Sequence, residues 1–540
     1  MRLGIRDIYR KRAGSCTALT AATMTALLAL AGPGTAQGTG DSVVVARDMD
    51  FNSLDPARAF CDSCQIYLSS VYDRLVDVSA DNKSVVPMIA REWSANDNQT
   101  VFTFKLDPAA KFSDGSAVEA KDVKWSLERL KNIKGGIAYI VEGVTSIEAP
   151  DAQTVVVTLA AANSEFVGSL TAPYAGILNS DVVTEHGGDA GTDAANKDGA
   201  EQWLLENSAG AGPYVLSAYS PSNELRLSRN ENYWRAKPAV PEFIFRQTKD
   251  AVSQSQLVES GGADIAMQVD PTTASQITSP DVVVESKPSF NMVYLALSPG
   301  AKNIPHPLDA KVREAIASAI DYDALTDLLL EGKGTRLASP IPNGFPGSGG
   351  LEPIAFDLDK AKSLMKEAGA ESGFTLDATY PNVNQYGVDY SLMMQKVQQD
   401  LAQINITLEL QPVEFTVWRE RINGDGIPLT AVFFAPDYYG TSQYAQYFAM
   451  LDGTVWYKRA GGAADPTLAQ PETPKLLAEA LAASGEKAGE LFQKLGAIMA
   501  ADHVILPIVS PDAVFVTRKG ISGVRNSACC NMVLSEIARQ

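Results

Sequence analysis

The N-terminus constrains this chain more than any other feature. Residues 1–12 carry Arg2, Arg6, Arg10, Lys11 and Arg12 against a single acid, Asp7. An apolar, small-residue run follows from Ala13 to about Ala31, and Gly34-Thr35-Ala36 then offers small residues at both positions a signal peptidase reads. A basic region, an apolar region and a small-x-small site in that order predict a cleaved secretory signal peptide over residues 1–36. The apolar run is short and interrupted by Ser15, Thr17, Thr20, Thr23 and Thr25, so it would span a membrane poorly. Cys16 precedes the apolar core and lacks the Leu-x-x of a lipid-attachment site. Everything after residue 36 is therefore expected to fold as a soluble protein outside the cytoplasm, in the periplasm.

About 500 residues would remain, enough for more than one hydrophobic core. The formal net charge is −19, and removing a basic leader makes the remainder more acidic still. Such a balance argues against nucleic acid as a partner, because phosphates require a basic surface. Four cysteines follow the leader: Cys61, Cys64, Cys529 and Cys530. An even, low count in an exported chain fits disulfides, and three pairings are open. Only three histidines occur, His186, His306 and His503, far apart in sequence; no metal site and no cofactor are expected.

Periodicity reads as mixed α/β. Residues 41–47 are a short β-rich run, and Val101–Leu106 alternates with period two, as does 154–159. Lys121–Leu130 places Val123, Leu127 and Leu130 on one helical face, with Asp122 near its start, where a carboxylate suits exposed amides. Strands are expected at 214–219, 291–297, 404–410 and 429–434, and helices at 309–320 and 358–368. Residues 185–200, 339–353 and 460–474 read as irregular connections.

Short strings then fall in a telling order: Ser53-Leu54-Asp55-Pro56, Val71-Tyr72-Asp73-Arg74-Leu75-Val76, Pro87-Met88-Ile89-Ala90-Arg91-Glu92-Trp93 and Lys111-Phe112-Ser113-Asp114-Gly115. Gly212-Pro213-Tyr214, Arg229-Asn230-Glu231-Asn232-Tyr233-Trp234, Val312-Arg313-Glu314-Ala315-Ile316 and Ala361-Lys362-Ser363-Leu364-Met365 follow. Together they make residues 41–520 resemble the extracellular solute-binding proteins of the peptide/nickel-type ABC importers, solute-binding protein family 5. Most of these strings read as structure: Asp114-Gly115 as a tight turn, Gly212 as a position of special backbone conformation, and Trp93, Trp125 and Trp234 as core.

The resemblance implies an α/β, two-lobed periplasmic-binding-protein fold of type II, with an additional subdomain on lobe I and two hinge strands. Lobe I is expected over 37–293 plus 505–540, with the subdomain at 76–208, and lobe II over 294–504. The hinge crossings are expected near Phe290–Leu297 and Val504–Ile508. The implied function is capture of a solute by hinge closure and delivery to an ABC permease at the inner membrane. A monomer is expected, and catalysis is not.

The resemblance also carries site expectations. Asp437, after the apolar strand 429–434, matches the acid that pairs with the ligand's α-ammonium group in peptide-binding branches. Tyr386 matches a pocket aromatic. Two residues before it, the dipeptide branch has an Arg that grips the ligand carboxylate, and Asn384 stands there instead, which can donate a hydrogen bond but carries no charge. Trp418 falls where the family often has a pocket aromatic, and Phe434 and Tyr438 flank Asp437. Asp62 and Ser63, beside Phe60 and Cys61, fall where the first lobe contributes pocket wall, and a Cys61–Cys64 bridge would stiffen that segment. Arg419 and Arg421 read as solvated helix residues. This set suits an amine-bearing polar solute: a peptide, an opine-like conjugate or a stacked sugar. The rival classes are a secreted hydrolase using two carboxylates, or Ser with His503, and an envelope protein that shares the fold without delivering solute.

Overall fold

The computed structural model describes residues 42–302 and 304–540. The expected leader at 1–36 and Cys16 lie outside the described residues. Among the described residues, no helix is long and apolar enough to cross a membrane.

Two large sheets organise the chain. The first has seven strands in the order Val282–Lys287, Ala513–Arg518, Ile265–Ala266, Ser42–Arg47, Glu242–Gln247, Glu224–Arg229 and Tyr214–Ser220. At its centre Ser42–Arg47 runs parallel to both Glu242–Gln247 and Ile265–Ala266. Every residue of Ser42–Arg47 is buried, because a parallel strand covered on both faces has no wet side. The second sheet has six strands: Gly334–Thr335, Ile505–Pro511, Met292–Leu297, Leu429–Phe434, Phe374–Pro381 and Ile406–Val413. Phe374–Pro381 is parallel to Ile406–Val413 along its whole length.

A third, antiparallel sheet of four strands comprises Ala90–Ala95, Val101–Leu106, Thr154–Leu159 and Val144–Asp151. Val101–Leu106 buries alternate residues, as its period-two pattern predicts. Helix Ala120–Ile133 lies beside it and buries Val123, Leu127 and Leu130. Asp122 accepts from the Glu119 amide at 2.9 Å, completing a capping box. This sheet shares one continuous core with the seven-stranded sheet, running from Val43 through Phe104 to Phe243. A separate core, including Leu295, Ile316, Leu376 and Met393, fills the six-stranded sheet's lobe.

The chain passes between the large sheets twice, over residues 288–291 and again at Asp512. The two links are tied: Ser289 Oγ donates to the Pro511 carbonyl and Ser510 Oγ to the Ser289 carbonyl. The second crossing lies beyond Val504–Ile508. Ile505, Leu506, Ile508 and Val509 are all buried, and Ile505, Leu506, Pro507 and Val509 still pair with Met292–Leu297, so the apolar run belongs to the six-stranded sheet until Pro511. Likewise, Met292–Leu297 lies wholly in that sheet, which puts the first crossing ahead of residue 292. Gly212 also differs from its reading. It is required by close approach, since a Cβ there would sit 2.5 Å from the Val71 carbonyl carbon. Within 185–200, Ala194–Lys197 forms one helical turn.

Candidate functional site

In both sheets the parallel strands end toward the same space. Ser42–Arg47 leads into Asp48, Glu242–Gln247 toward Lys249, Ile265–Ala266 into Met267, and Phe374–Pro381 toward Val383. All of these following residues line one cavity of about 500 Å³. Ligands of open α/β sheets bind outside the carboxyl ends of the strands, where connections diverge. Asn291, Pro511 and Asp512 of the links line the same cavity.

The second-lobe wall is a hairpin of Asn384–Gln385 against Val388–Asp389. Its turn residues Tyr386 and Gly387 have φ of 55° and 80°, the left-handed pair a tight two-residue turn requires. The turn carries Tyr386 across to the first lobe, where its hydroxyl donates to Asp62 Oδ2 at 3.1 Å. Asp62 opens helix Asp62–Val71, whose first amides bond the Asp50 carboxylate. Burial, followed by the charge of Asp50, pushes the Asp62 carboxyl up to about 6; Arg47 and the Tyr386 bond oppose that rise. Asn384 lines the cavity and is exposed.

Asp437 lies three residues past strand Leu429–Phe434 and is 6 % exposed. Its Oδ2 accepts from the hydroxyl of Tyr139, a first-lobe residue, at 2.7 Å. Its backbone amide donates to Gln443 Oε1 at 2.8 Å, which fixes the loop. Burial raises its carboxyl to about 7, the Tyr139 bond acts against this, and the charge of Asp62 adds to it. Among the described residues Asp437 has no ion-pair partner. The seam beside it is closed by further bonds between lobes. Gln65 Nε2 donates to the Pro436 carbonyl, the Tyr439 amide to Thr171 Oγ1, and the Thr441 and Ser442 amides to the Glu165 carboxylate.

The remaining expected residues are placed as follows. Tyr438 is buried against the first-lobe core, its hydroxyl 3.0 Å from Ser442 Oγ. Phe434 is partly buried and packs on Tyr444, Tyr447 and Phe448. Trp418 is 2 % exposed and donates from Nε1 to Thr430 Oγ1 at 2.8 Å, inside a core that includes Tyr294 and Trp456. It does not line the cavity, and neither does Ser63, which is buried and holds Asp50 through its backbone amide and Oγ. Arg419 lies over the Phe415 ring and Arg421 reaches Gln411; both are exposed. His503 feels the charges of Glu314, Arg313 and Lys360 and is not a cavity residue.

Cys61 is bonded to Cys64 around the first turn of helix Asp62–Val71, and Cys529 to Cys530. Asn531, next in the chain, donates to the Asp62 carbonyl at 3.3 Å and to Gln65 Oε1 at 2.7 Å. Among the described residues the grouping with metal-ligand spacing is Asp77 with Cys529 and Cys530, whose sulfurs are joined to each other.

Tyr139, Gln65, Asn531 and Arg47 went unnoticed in the sequence. Arg47 had a readable signal, as the polar residue ending an apolar strand. Tyr139 and Asn531 had none, because their partners are hundreds of residues away.

Known proteins resemble this chain in sequence and in fold. Residues 84–454 match the family model described as bacterial extracellular solute-binding proteins, family 5 middle. The chain is 27 % identical over 393 residues to the glutathione-binding protein GsiB of Pectobacterium atrosepticum, covering 72 % of each chain. It is 25 % identical over 373 residues to the dipeptide-binding protein of Escherichia coli, covering 65 % of this chain and 68 % of that one. The dipeptide-binding protein of Pseudoalteromonas sp. SM9913, solved in complex with Met-Leu, superposes with a TM-score of 0.78 at 19 % identity, covering 92 % of this chain and all of that one.

Proposed function

The chain belongs to family 5 of the bacterial extracellular solute-binding proteins, periplasmic binding components of ABC transporters, and from that premise we propose that it captures a peptide-like solute bearing a free ammonium group and delivers it to a membrane permease. One observation carries the reading. Asp437 is buried at the seam between the lobes, bonded to a neutral phenol and close enough to Asp62 to feel its charge, with no ion-pair partner among the described residues. A carboxylate in such a place is costly unless a cation completes it. A ligand ammonium supplies that cation with a charge-assisted hydrogen bond. Glutathione and dipeptides, the solutes named for two relatives, both carry such a group.

In this reading the lobes divide at the two links, with residues 42–287 and 513–540 on one side and 292–511 on the other. Tyr139 and Asp62 belong to the first lobe, Asp437 and Tyr386 to the second. A solute touching both sets favours the closed arrangement, which a permease recognises by shape. The Cys61–Cys64 bridge holds the helix start that presents Asp62.

The test is a thermal-shift and calorimetric panel of di- and tripeptides, each with a free and an N-acetylated amino terminus. Free-amine peptides should stabilise the protein without being consumed, and acetylation should weaken binding at least about 100-fold. Asp437→Asn should remove the discrimination. Equal binding of both forms would sink the ammonium assignment, and turnover would restore the hydrolase alternative.

A further inference from the structure

Where the dipeptide branch keeps an arginine for the ligand's carboxylate, this chain has Asn384, and the cavity has another base. We infer that Arg47 is the carboxylate anchor, so that the solute is a zwitterion held by its carboxylate at the end of the first lobe's central strand. This assignment rests on the peptide reading above and narrows it.

The argument starts from the backbone. Arg47 is the last residue of the buried strand Ser42–Arg47, at the carboxyl end of a parallel run, and it lines the cavity. It is 2 % exposed. A guanidinium offers five N–H donors and is not discharged by burial, so it must find acceptors. Here the acceptors are poor. Nε donates to the adjacent Asp48 carbonyl at 3.1 Å. Nη1 has only the Met267 sulfur at 3.5 Å, and a thioether is a weak acceptor. Nη2 reaches only Asp50 Oδ1 at 3.8 Å, beyond hydrogen-bond range. That carboxylate is already used by the helix amides of Asp62 and Ser63. The outer face of the fork is thus almost wholly unbonded.

Three other carboxylates of the cavity are engaged elsewhere. The Asp48 carboxylate accepts from Gln247, Asp512 accepts from Ser286, and Asp250 caps helix Ala251–Ser260. The remaining cation, Lys249, is exposed. Arg47 is the enclosed one, and a fork suits a carboxylate bidentately where an ammonium does not. Asp62 also lines the cavity, near enough for Arg47 to lower its proton affinity, and the charge of Asp62 in turn reaches Asp437. The cavity therefore holds one enclosed cation, Arg47, and one acid, Asp62, whose charge reaches the ammonium reader Asp437 outside the cavity lining, and about 500 Å³ suits a solute of dipeptide to tripeptide size. Asn384 is left to donate a neutral hydrogen bond.

The experiment uses the same di- and tripeptide panel, each as the free acid and as the C-terminal amide, on the wild type, Arg47→Gln and Arg47→Lys. The wild type should bind a free acid about 30-fold or more tightly than its amide. Arg47→Gln should bring the free acid down to the amide's affinity. Arg47→Lys, which keeps charge but not the fork, should fall between them. A purely structural Arg47, merely steadying Asp50, would lower acid and amide binding alike and leave their ratio unchanged. The wild-type comparison stands even if a variant fails to fold. Equal binding of acid and amide by the wild type, or a preserved preference in folded Arg47→Gln, overturns the Arg47 assignment alone. Failure of every peptide in both forms overturns the peptide reading together with it.

Discussion

Two groups of enclosed aspartates in this molecule have opposite electrostatics. In the first lobe, Arg129 lies between Asp55 and Asp198, with all three side chains fully enclosed. Arg129 bonds Asp55 through Nη1 and Nη2 at 2.7 and 2.6 Å, and Asp198 through Nε at 2.7 Å, and Arg58 reaches both acids. Burial pushes the Asp198 carboxyl up, but the bonds and charge of Arg129 win and hold it below its ordinary value. At the seam between lobes, burial acts on Asp437 with no guanidinium to answer it, and the carboxyl rises to about 7. The residue type is the same and burial raises both carboxyls; the countercharge decides which acid is scaffold and which is site.

The comparison can be broken at either end. The largest effect is expected in the scaffold. Arg129→Ala leaves two enclosed carboxylates with only the partly exposed Arg58 between them and should cost about 3 kcal/mol in chemical denaturation. The peptide preferences of whatever remains folded should be unchanged, and a switch in those preferences would put the network in the site. The loss of amine discrimination in Asp437→Asn, about 100-fold in affinity, comes next. The smallest effect belongs to Trp418. Trp418→Phe removes the indole donor to Thr430 and should cost about 1 kcal/mol of stability, read by urea denaturation, with ligand selectivity intact. A changed ligand spectrum would return Trp418 to the pocket.

The elements that were legible in the sequence are those whose pattern is local. Val101–Leu106 alternates and Ala120–Ile133 repeats with helical spacing, so each announces its buried face. Ser42–Arg47 is legible as a strand through its valines, yet its meaning for the site depends on parallel neighbours two hundred residues away. Asp437 was singled out by resemblance, and the structure adds its phenol partner, Tyr139, which no sequence period links to it. Trp418 shows the limit of such transfer. Resemblance leads one to expect its ring in the pocket, and in the structure it is buried in a core with its N–H bonded to Thr430. The second crossing was placed too early because the apolar run of Ile505–Pro511 looks the same whether it ends one sheet or begins another.

The most direct test of the unpaired-acid account needs no ligand: thermal unfolding of the wild type and of Asp437→Asn at pH 5 and pH 8. A carboxyl whose folded value is raised from 3.8 to about 7 binds protons more strongly in the folded state, so the wild type loses stability as pH rises through that window. The Asn variant keeps the shape and the acceptor for Tyr139 but cannot ionise. It should melt higher than the wild type at pH 8, and the advantage should shrink markedly at pH 5. A variant that melts lower than the wild type at pH 8 would mean that Asp437 already has its cation, and the account would fail.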